Sequence, residues 1–438
     1  MAAGRTRKQA ALLAVLALSV NGPGVAASEE EYHFDPTEFE KKSLDWGGYA
    51  ELKWERQEIN RDGALAALNY YATPRESLES GSAAVQFAGG FSRGTAALRW
   101  TLQASSAQNQ LEWQDRAEVF EAYASLKTSA HSALDFGKKV FKWGKGYAAN
   151  PVGFIDRPKD PNNPEEAMEG YVGAGLDLVK SLDADLKTVA LTTVALPVWQ
   201  GVNEEFGSRD NVNLAAKLSL LYKDTDIDFL WYAGNSRTPR YGIDFARNLA
   251  AHFEIHGELA HIPRQKQRLL TEARTVATQT TSDTSYLLGF RYLTETDLTA
   301  IVEFYHNGDG YTEPESERFF ALAESGHQQF LATGDASLLG QVAALAQQGY
   351  SQPLGGRNYL YARLSQKEPF DILYLTPGLT AILNLGDKSC SLSPELVYTG
   401  FTNWELRLRF TMLVGPEFSE YGEKPQANRL EARLRYFF

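Results

Sequence analysis

Cysteine and long apolar runs are nearly absent from this chain of 438 residues. Its single cysteine, Cys390, has no partner for an intrachain disulfide, which excludes a disulfide-stapled scaffold. No run of 18 apolar residues occurs, and this excludes a transmembrane helix, which needs about 20. The HExxH, CxxC and glycine-rich phosphate-loop motifs are absent too. We therefore predict neither a metal site nor another cofactor.

Acidic residues outnumber basic ones. The chain has 43 Lys+Arg against 55 Asp+Glu, a formal net charge of −12. This balance argues against a nucleic-acid partner, because phosphate backbones are bound by basic surfaces. Aromatic residues are plentiful, with 8 Trp, 21 Tyr and 23 Phe, as the two aromatic girdles of a membrane barrel require.

The N-terminus has the pattern of a secretory signal peptide. A basic segment with Arg5 and Arg7 precedes an apolar run over residues 10–20, and Ala27 ends a stretch of small residues. We predict that residues 1–27 are a signal peptide cleaved after Ala27. An uncleaved N-terminal anchor is the alternative. Cleavage would leave 40 basic against 55 acidic residues, or about −15.

The last ten residues alternate in polarity. Leu430, Ala432, Leu434, Tyr436 and Phe438 are interleaved with Arg429, Glu431, Arg433, Arg435 and Phe437. Successive side chains of a strand point to opposite faces, so this strand has one apolar and one charged face. The same alternation recurs over residues 46–54, 96–102, 214–222, 227–233, 286–292, 298–304 and 404–414. An apolar outside and a polar inside are the inverse of a soluble barrel, whose interior is packed.

A chain that ends on Phe438, at the tip of an apolar-out and charged-in strand, resembles the bacterial outer-membrane β-barrels. The resemblance implies that the barrel assembly machinery reads Phe438 and that outer-membrane lipid and lipopolysaccharide surround the protein. Strands that span a membrane must close, because an open edge leaves backbone hydrogen bonds unmade in lipid. We predict an all-β fold, a transmembrane antiparallel up-and-down β-barrel in the bacterial outer membrane.

Short turns and long polar stretches alternate along the chain. The long stretches are residues 59–81, 144–170, 263–283 and 308–356. Short periplasmic turns and long extracellular loops are the pattern of outer-membrane barrels. We predict one barrel domain over residues 45–438, after a periplasmic tail at 28–44. It has about 18 strands, with 16 as the alternative, beginning near residues 45, 82, 95, 116, 133, 171, 185, 213, 226, 240, 252, 284, 298, 357, 373, 391, 403 and 427.

The stretch 144–170 is rich in proline and charge. Four prolines between Pro151 and Pro164 stiffen it and keep it out of the hydrogen-bonded ladder. A barrel of this width leaves an aqueous channel, and in general porins the third extracellular loop folds inward to narrow it. This is the third long loop; a well-ordered surface loop is the alternative. The candidate constriction residues are Asp156, Arg157, Lys159, Asp160, Glu165, Glu166 and Glu169.

The lumenal faces of the last two predicted strands are basic. Same-face neighbours on adjacent strands lie roughly 5–8 Å apart, so their arginines would form a ladder that suits carboxylate or phosphate. Neutralisation by Glu405 and Glu431 is the alternative. An arginine-lined lumen is similar to the carboxylate-specific and alginate-export channels. The candidate pore-lining residues are Arg407, Arg409, Arg433 and Arg435, with Lys53 and Arg99 extending the ladder.

One predicted strand carries two histidines and two glutamates on one face: His252, Glu254, His256 and Glu258. Residues i and i+4 of a strand are about 13 Å apart, so the two histidines cannot share an ion. We interpret this face as polar lumen wall.

The stretch 308–356 has helical periodicity. Apolar residues recur at three- and four-residue spacing over 319–323 and 338–346, on either side of Gly334. This predicts a helical hairpin whose apolar faces must be buried. We expect a partial lid over the barrel mouth; a plug, or a contact for a partner protein or second copy, is the alternative.

These features favour a channel over an enzyme. No serine with an acid partner is visible around the histidines, so we predict no catalytic activity. We predict a porin-like channel for passive diffusion of small hydrophilic solutes, anionic ones if the basic wall selects them. The barrel component of a gated export system and a structural outer-membrane scaffold are the alternatives. Whether the protein is a monomer or a homo-oligomer stays open.

Overall fold

The computed structural model describes residues 43–109, 112–164 and 169–438. The predicted signal peptide, nearly all of the predicted tail, and Glu165 and Glu166 lie outside these ranges. Eighteen strands form a single sheet. They are β1 (Leu44–Ile59), β2 (Ser77–Arg93), β3 (Ala96–Asn109), β4 (Glu112–Ser129), β5 (Ser132–Lys139), β6 (Tyr171–Ser181), β7 (Leu186–Val198), β8 (Asn211–Tyr222), β9 (Thr225–Ala233), β10 (Arg240–Ala250), β11 (Phe253–Leu270), β12 (Val276–Leu293), β13 (Leu298–His306), β14 (Asn358–Gln366), β15 (Leu375–Asn384), β16 (Ser389–Tyr398), β17 (Trp404–Val414) and β18 (Gln426–Phe437).

The sheet closes on itself because β1 pairs with both β2 and β18. At the seam, Tyr49 lies opposite Phe437 and Glu51 lies opposite Arg435. Consecutive strands are neighbours and antiparallel around the whole ring. The predicted up-and-down barrel is confirmed, with 18 strands rather than 16.

The barrel presents its apolar side chains outward. Trp46 is 62% exposed and Leu288 is 59% exposed. Along β9, Phe229 and Trp231 are exposed on the outer side, whereas the adjacent residue Asp228 points to the lumenal side and is buried. Such a wall is stable only against lipid. Within the described ranges, no helix is long and apolar enough to cross a membrane.

The two rims of the barrel differ. Ser43, Phe438 and the connections that follow the even-numbered strands lie at one rim, the turn end. The connections that follow the odd-numbered strands, which include all those longer than eight residues, lie at the other rim, the loop end. Predicted and observed strand starts agree within two residues except at β2, β4 and β12, which begin four to eight residues earlier than predicted. The predicted loop 263–283 is a strand hairpin with its turn at 271–275. Its arms are polar on both faces, so alternation does not reveal them.

Three helices lie at the loop end: α1 (Ala64–Tyr70) between β1 and β2, and α2 (Glu313–Thr333) and α3 (Ser337–Leu345) between β13 and β14. A capping box starts α2, since the Glu315 carboxylate accepts a hydrogen bond of 2.7 Å from the Thr312 backbone N–H. Gly334, with φ of 76°, ends it in the left-handed conformation that glycine tolerates best. A π-helical turn at Ala346–Tyr350 follows α3. Two 3₁₀ turns, Glu204–Phe206 and Pro369–Asp371, complete the helical elements of the described ranges.

Candidate functional site in the barrel lumen

Loop 3, residues 140–170 between β5 and β6, folds into the barrel. Its side chains Val152, Phe154 and Ile155 are at most 1% exposed. They pack on Tyr171, Val194, Leu196, Val198, Phe206, Ala215, Leu230, Tyr232 and Ala260. A second cluster joins Ala148 of the loop to Ile301, Tyr359, Tyr361, Ile382 and Tyr421. The loop therefore follows the inner wall from β6 to β15.

Two wall carboxylates, Glu258 on β11 and Glu303 on β13, bind the backbone of loop 3. Glu258 Oε1 accepts hydrogen bonds from the N–H groups of Lys145 (2.5 Å) and Gly146 (2.6 Å). Glu303 accepts from the next two N–H groups, at 2.5 and 2.8 Å. Successive N–H groups that converge in this way form an anion-binding concavity. Here the anions are part of the protein, so the loop is fixed to its own barrel.

Lys145 adds an ionic contact at the same place. Its Nζ lies 3.1 Å from Asp228 Oδ2 and 3.8 Å from Asp244 Oδ1. Asp228 and Asp244 are directly opposed on β9 and β10. Burial disfavours the ammonium, but the two carboxylates outweigh this effect and raise the pKa of Lys145. The lysine thus bridges two buried acids that would otherwise repel each other.

Asp156 and Lys159, both predicted constriction residues, stabilise the conformation of loop 3 through contacts within the loop. Asp156 Oδ2 accepts hydrogen bonds from the Trp143 N–H (2.7 Å) and the Asn150 amide (3.2 Å). Burial raises the pKa of Asp156 to about 7. The Lys159 ammonium donates to the Gly146 carbonyl, and burial lowers the pKa of Lys159 despite nearby carboxylates. Neither side chain presents its charge to an open lumen.

The other predicted residues of loop 3 lie near its surface. Arg157 contacts Glu169 (3.2 Å) and Glu205 (2.6 Å), and its guanidinium lies 4.3 Å from the ring centre of Tyr171. Asp160 is exposed and accepts a hydrogen bond of 2.9 Å from the Asn162 N–H. Glu165 and Glu166 are outside the described ranges.

The predicted arginine wall is interleaved with acids. Arg407 lies opposite Arg433 in the ladder between β17 and β18. Arg407 contacts Glu405 at 3.3 Å, and Arg433 contacts Glu431 at 3.1 Å. Glu405 and Glu431, the alternative neutralising partners predicted from the sequence, are therefore in contact with the arginines.

Arg409 and Arg435 have further partners. Arg409 is 3% exposed; its guanidinium binds Glu395 at 2.7 Å and donates to the Asn163 side chain of loop 3 at 2.9 Å. Arg435 binds Glu51 at 2.6 Å across the β1–β18 seam. Asn163 brings loop 3 to β17, so the loop reaches both sides of the lumen.

Lys53 and Arg99 occupy different places. Lys53 joins the wall on β1, where its Nζ lies 3.6 Å from Glu55. Arg99 lies apart from it, near the turn end, and binds Asp45 at 3.0 Å. Its guanidinium crosses Gly90 of β2, where a Cβ atom would lie 2.1 Å from Arg99 Nη1. Glycine at this position lets the contact form across an intervening strand.

The wall acids that bind loop 3 were not predicted from the sequence. Glu258 was interpreted as wall, and Glu303, Asp228 and Asp244 were not singled out. Their signal in the sequence is an acid at an inward position between large apolar neighbours, as in Ile227-Asp228-Phe229. His256 lies 2.9 Å from Glu303 Oε1. No group of three potential metal ligands occurs among the described residues.

A helical cap, formed by α1, α2 and α3, lies at the loop end. Its core consists of Ala64, Leu65, Leu68, Leu270, Tyr311, Phe319, Phe320, Leu322, Ala323, Leu339, Val342, Leu345, Ala346 and Tyr350. The rings of Tyr311, Tyr350 and Phe319 stack with centre distances of 3.8 and 4.2 Å. Helix α1 leaves the rim beside β1, whereas Leu270 ends β11, half the ring away. The cap thus joins opposite sides of the mouth.

Glu423, between β17 and β18, fastens the cap. Its carboxylate accepts hydrogen bonds of 2.6 Å from the N–H groups of Ala64 and Phe418. Ala64 begins α1, whose first N–H groups have no partner within the helix. Burial raises the pKa of Glu423. Glu420 of the same loop points toward the wall and binds Tyr359 and Asn384.

The sequence matches neither a protein-family model nor a curated protein, but solved structures match the fold. Pseudomonas aeruginosa OccK11 (OpdR) aligns over 90% of this chain and 96% of its own, with a TM-score of 0.52 and 13% identity. The fold is that of the bacterial outer-membrane porins.

Two other structures share this barrel fold. Pseudomonas aeruginosa OccK2 (OpdF), solved in complex with glucuronate, aligns over 90% of this chain and 96% of its own, with a TM-score of 0.51 and 9% identity. Escherichia coli Wzi is a carbohydrate-binding barrel involved in group 1 capsule assembly. It aligns over 89% of this chain and 84% of its own, with a TM-score of 0.52 and 10% identity. The predicted outer-membrane-barrel fold is confirmed, and the predicted outer-membrane location agrees with it.

Proposed function

We propose that the protein is an outer-membrane channel for small hydrophilic solutes, with loop 3 as its constriction. The observation that carries the proposal is the course of loop 3 through a wide barrel. Glu258 and Glu303 hold it on β11 and β13, and Asn163 reaches Arg409 on β17. A loop fixed at both sides of a polar lumen limits the size of the solutes that pass.

The proposed path runs between loop 3 and the wall formed by β14, β16, β17, β18 and β1. Cations outnumber acids along this wall among the described residues, which supports a preference for anions. The cations are Lys53, Arg363, Arg407, Arg409, Arg429, Arg433 and Arg435, and the acids are Asp45, Glu51, Glu55, Glu395, Glu405 and Glu431. OccK2 was solved with glucuronate, a sugar carboxylate. We propose small carboxylates, sugar acids included, as the solute class.

The helical cap adds a second barrier to this path. It joins opposite sides of the mouth and is fastened by Glu423. We propose that passage requires the cap to move, so that the channel opens intermittently. This makes the proposed channel gated, in contrast to a steadily open pore.

The test is single-channel conductance in planar bilayers, with the reversal potential measured under a salt gradient. Replacing Lys53 and Arg435 by Gln should shift selectivity toward cations, because it removes two positive charges beside Glu51 and Glu55. Glu51 then keeps only the longer contact with Arg433 (3.6 Å), and Glu55 only that with Arg429 (3.9 Å). Lys223→Gln, which removes a cation from a turn outside the lumen, is the control. Absence of conductance, even with residues 313–345 replaced by a short linker, would exclude a channel.

A second candidate function is carbohydrate binding at the loop end. A cavity of about 580 Å³ opens there, and its lining includes Gln265, Gln267, Asn307, Asp309, Tyr311 and Gln352. Amide and carboxylate groups beside an aromatic ring suit sugar hydroxyls. Wzi, which shares the fold, is a carbohydrate-binding barrel. Calorimetric titration of the wild-type protein and of the Gln352→Ala variant with neutral oligosaccharides tests this function. Equal heats of binding for the two proteins would exclude this cavity as the carbohydrate site.

A further inference from the structure

The outer wall changes character along β11 and β12. Toward the turn end, the outward residues are apolar or aromatic, including Leu259, Tyr286 and Leu288. Toward the loop end, beyond His261 and Thr284, the outward residues of 264–268 and 278–284 are basic or carry hydroxyl groups. The apolar Leu270 and Val276 follow only beside the turn. Tyrosine is typical of the border between lipid and water in membrane barrels. The change therefore marks the upper edge of the apolar belt.

Both strands continue well beyond that edge. β11 and β12 have 18 residues each, whereas a strand needs about 9–11 to cross the hydrocarbon layer. The additional residues form a hairpin that rises through the level of the lipid headgroups. Its outer face is consequently the part of the barrel that headgroups meet.

A bulge decides which residues face outward here. The register between β11 and β12 shifts between Ile262 and Gln265. After the shift Gln265 and Gln267 point inward, since their amide groups donate to Asp309 at 2.6 and 2.8 Å. The residues that alternate with them, Arg264, Lys266 and Arg268, are exposed on the outer side.

These three cations form a stripe along the strand. Side chains two apart on a strand are separated by roughly 6.5 Å. Lys266 lies opposite Thr280, and Arg268 lies opposite Thr278, so hydroxyl groups flank the stripe. In the described ranges, neither Arg264 nor Lys266 forms an ion pair. Arg264 and Lys266 are therefore available to bind anions.

The hairpin is locally basic in an acidic protein. Residues 263–283 contain four basic side chains and two acids, Glu272 in the turn and Asp283, which accepts a hydrogen bond from Thr281. The whole chain carries a net charge of −12. An exposed positive stripe on such a protein attracts an anionic surface at this position rather than polyanions in general.

We propose that Arg264, Lys266 and Arg268 bind the phosphate groups of an anionic glycolipid in the outer leaflet. The level of the stripe, directly above the apolar belt, selects a lipid headgroup. Arginine offers paired donors to a phosphate, lysine adds a point charge, and the threonine hydroxyls supply further donors. The site lies on the outer wall and goes beyond the proposed transport function, because the sheet separates it from the lumen.

The test is binding of purified lipopolysaccharide to the protein in zwitterionic micelles, followed by native mass spectrometry. The variant combines Arg264→Gln with Lys266→Gln. Its matched control combines Lys187→Gln with Lys223→Gln, which removes the same charge at the turn end. We expect the dissociation constant to rise about tenfold or more in the variant and to stay unchanged in the control. Phosphatase-treated lipopolysaccharide should bind both proteins weakly.

Equal binding by the variant and the control would overturn the proposal. Undiminished binding of the phosphatase-treated lipid would also overturn it, since phosphate recognition is then excluded. Full displacement of the glycolipid by inorganic phosphate would assign the stripe to a soluble anion instead. If the double variant does not fold, the salt dependence of lipopolysaccharide binding to the wild-type protein provides the test. An affinity that does not fall with added salt would contradict a phosphate site.

Discussion

Arg409 of β17 donates a hydrogen bond of 2.9 Å to the side chain of Asn163 in loop 3. The guanidinium is almost fully buried and also binds Glu395 at 2.7 Å. Arg409 was predicted to line the pore, and in this position its contact is with the loop. Arg409 therefore positions loop 3 in addition to contributing its charge to the wall.

Asn163→Ala should release the far end of loop 3. The substitution removes a hydrogen bond to a charged group, worth about 1.5 kcal/mol, while leaving Arg409 paired with Glu395. We expect larger and noisier single-channel currents and faster proteolysis within loop 3. Asn162→Ala is the neighbouring control. Currents identical in the two variants would show that this contact does not position the loop.

Glu258→Ala should loosen loop 3 more strongly than Asn163→Ala. It leaves the buried N–H groups of Lys145, Gly146 and Val152 without their acceptor. The expected loss is about 3 kcal/mol or more in the stability of the docked loop. Hydrogen exchange of residues 143–152 measures it. Glu254→Ala, a substitution on the same lumenal face that removes no backbone acceptor, should leave exchange unchanged.

Docking of loop 3 should depend on pH through Asp156. Burial raises its pKa to about 7 from an ordinary value of 3.8, so the docked loop holds a proton that a released loop would give up. The stabilisation is complete below about pH 4 and is lost as the pH rises through 7. Protease protection of loop 3 should thus decline between pH 5 and pH 8, roughly across this titration. Asp156→Asn should flatten the profile; an unchanged profile in that variant would assign the dependence to another group.

Glu423→Ala should unfasten the helical cap. The change removes the acceptor for the N–H groups of Ala64 and Phe418, at an expected cost of about 1–2 kcal/mol to the start of α1. The open probability in planar bilayers should increase. Glu417→Ala, an exposed acid in the same loop, is the control. A cap that does not gate the channel would give equal open probabilities for both variants.

Most strands could be predicted because their signal is local. In β17, for example, Leu406 and Leu408 alternate with Glu405, Arg407 and Arg409, and this alternation alone identifies a strand with one lipid-facing side. The arms of the β11–β12 hairpin lack it, since glutamine, lysine and threonine occupy both faces. The prediction of a loop without strands over residues 263–283 is wrong for this reason.

The contacts of loop 3 could not be predicted in the same way. Glu258 meets Gly146, and Glu303 meets Tyr147, across more than a hundred residues of chain. No periodicity links an acid on a distant strand to a backbone N–H group. The sequence placed Lys145 and Asp228 in different segments, and only the folded barrel brings them within 3.1 Å.

By itself the sequence determined the class of the protein: a closed transmembrane barrel, apolar outside and polar inside, because side-chain direction in a strand follows from position alone. The tertiary structure decided which lumenal charges are paired. Arg435 finds Glu51 only because the barrel closes, and Arg409 finds Asn163 only because loop 3 folds inward. Pairing of buried charges depends on distances across the lumen, which arise only once the ring is complete.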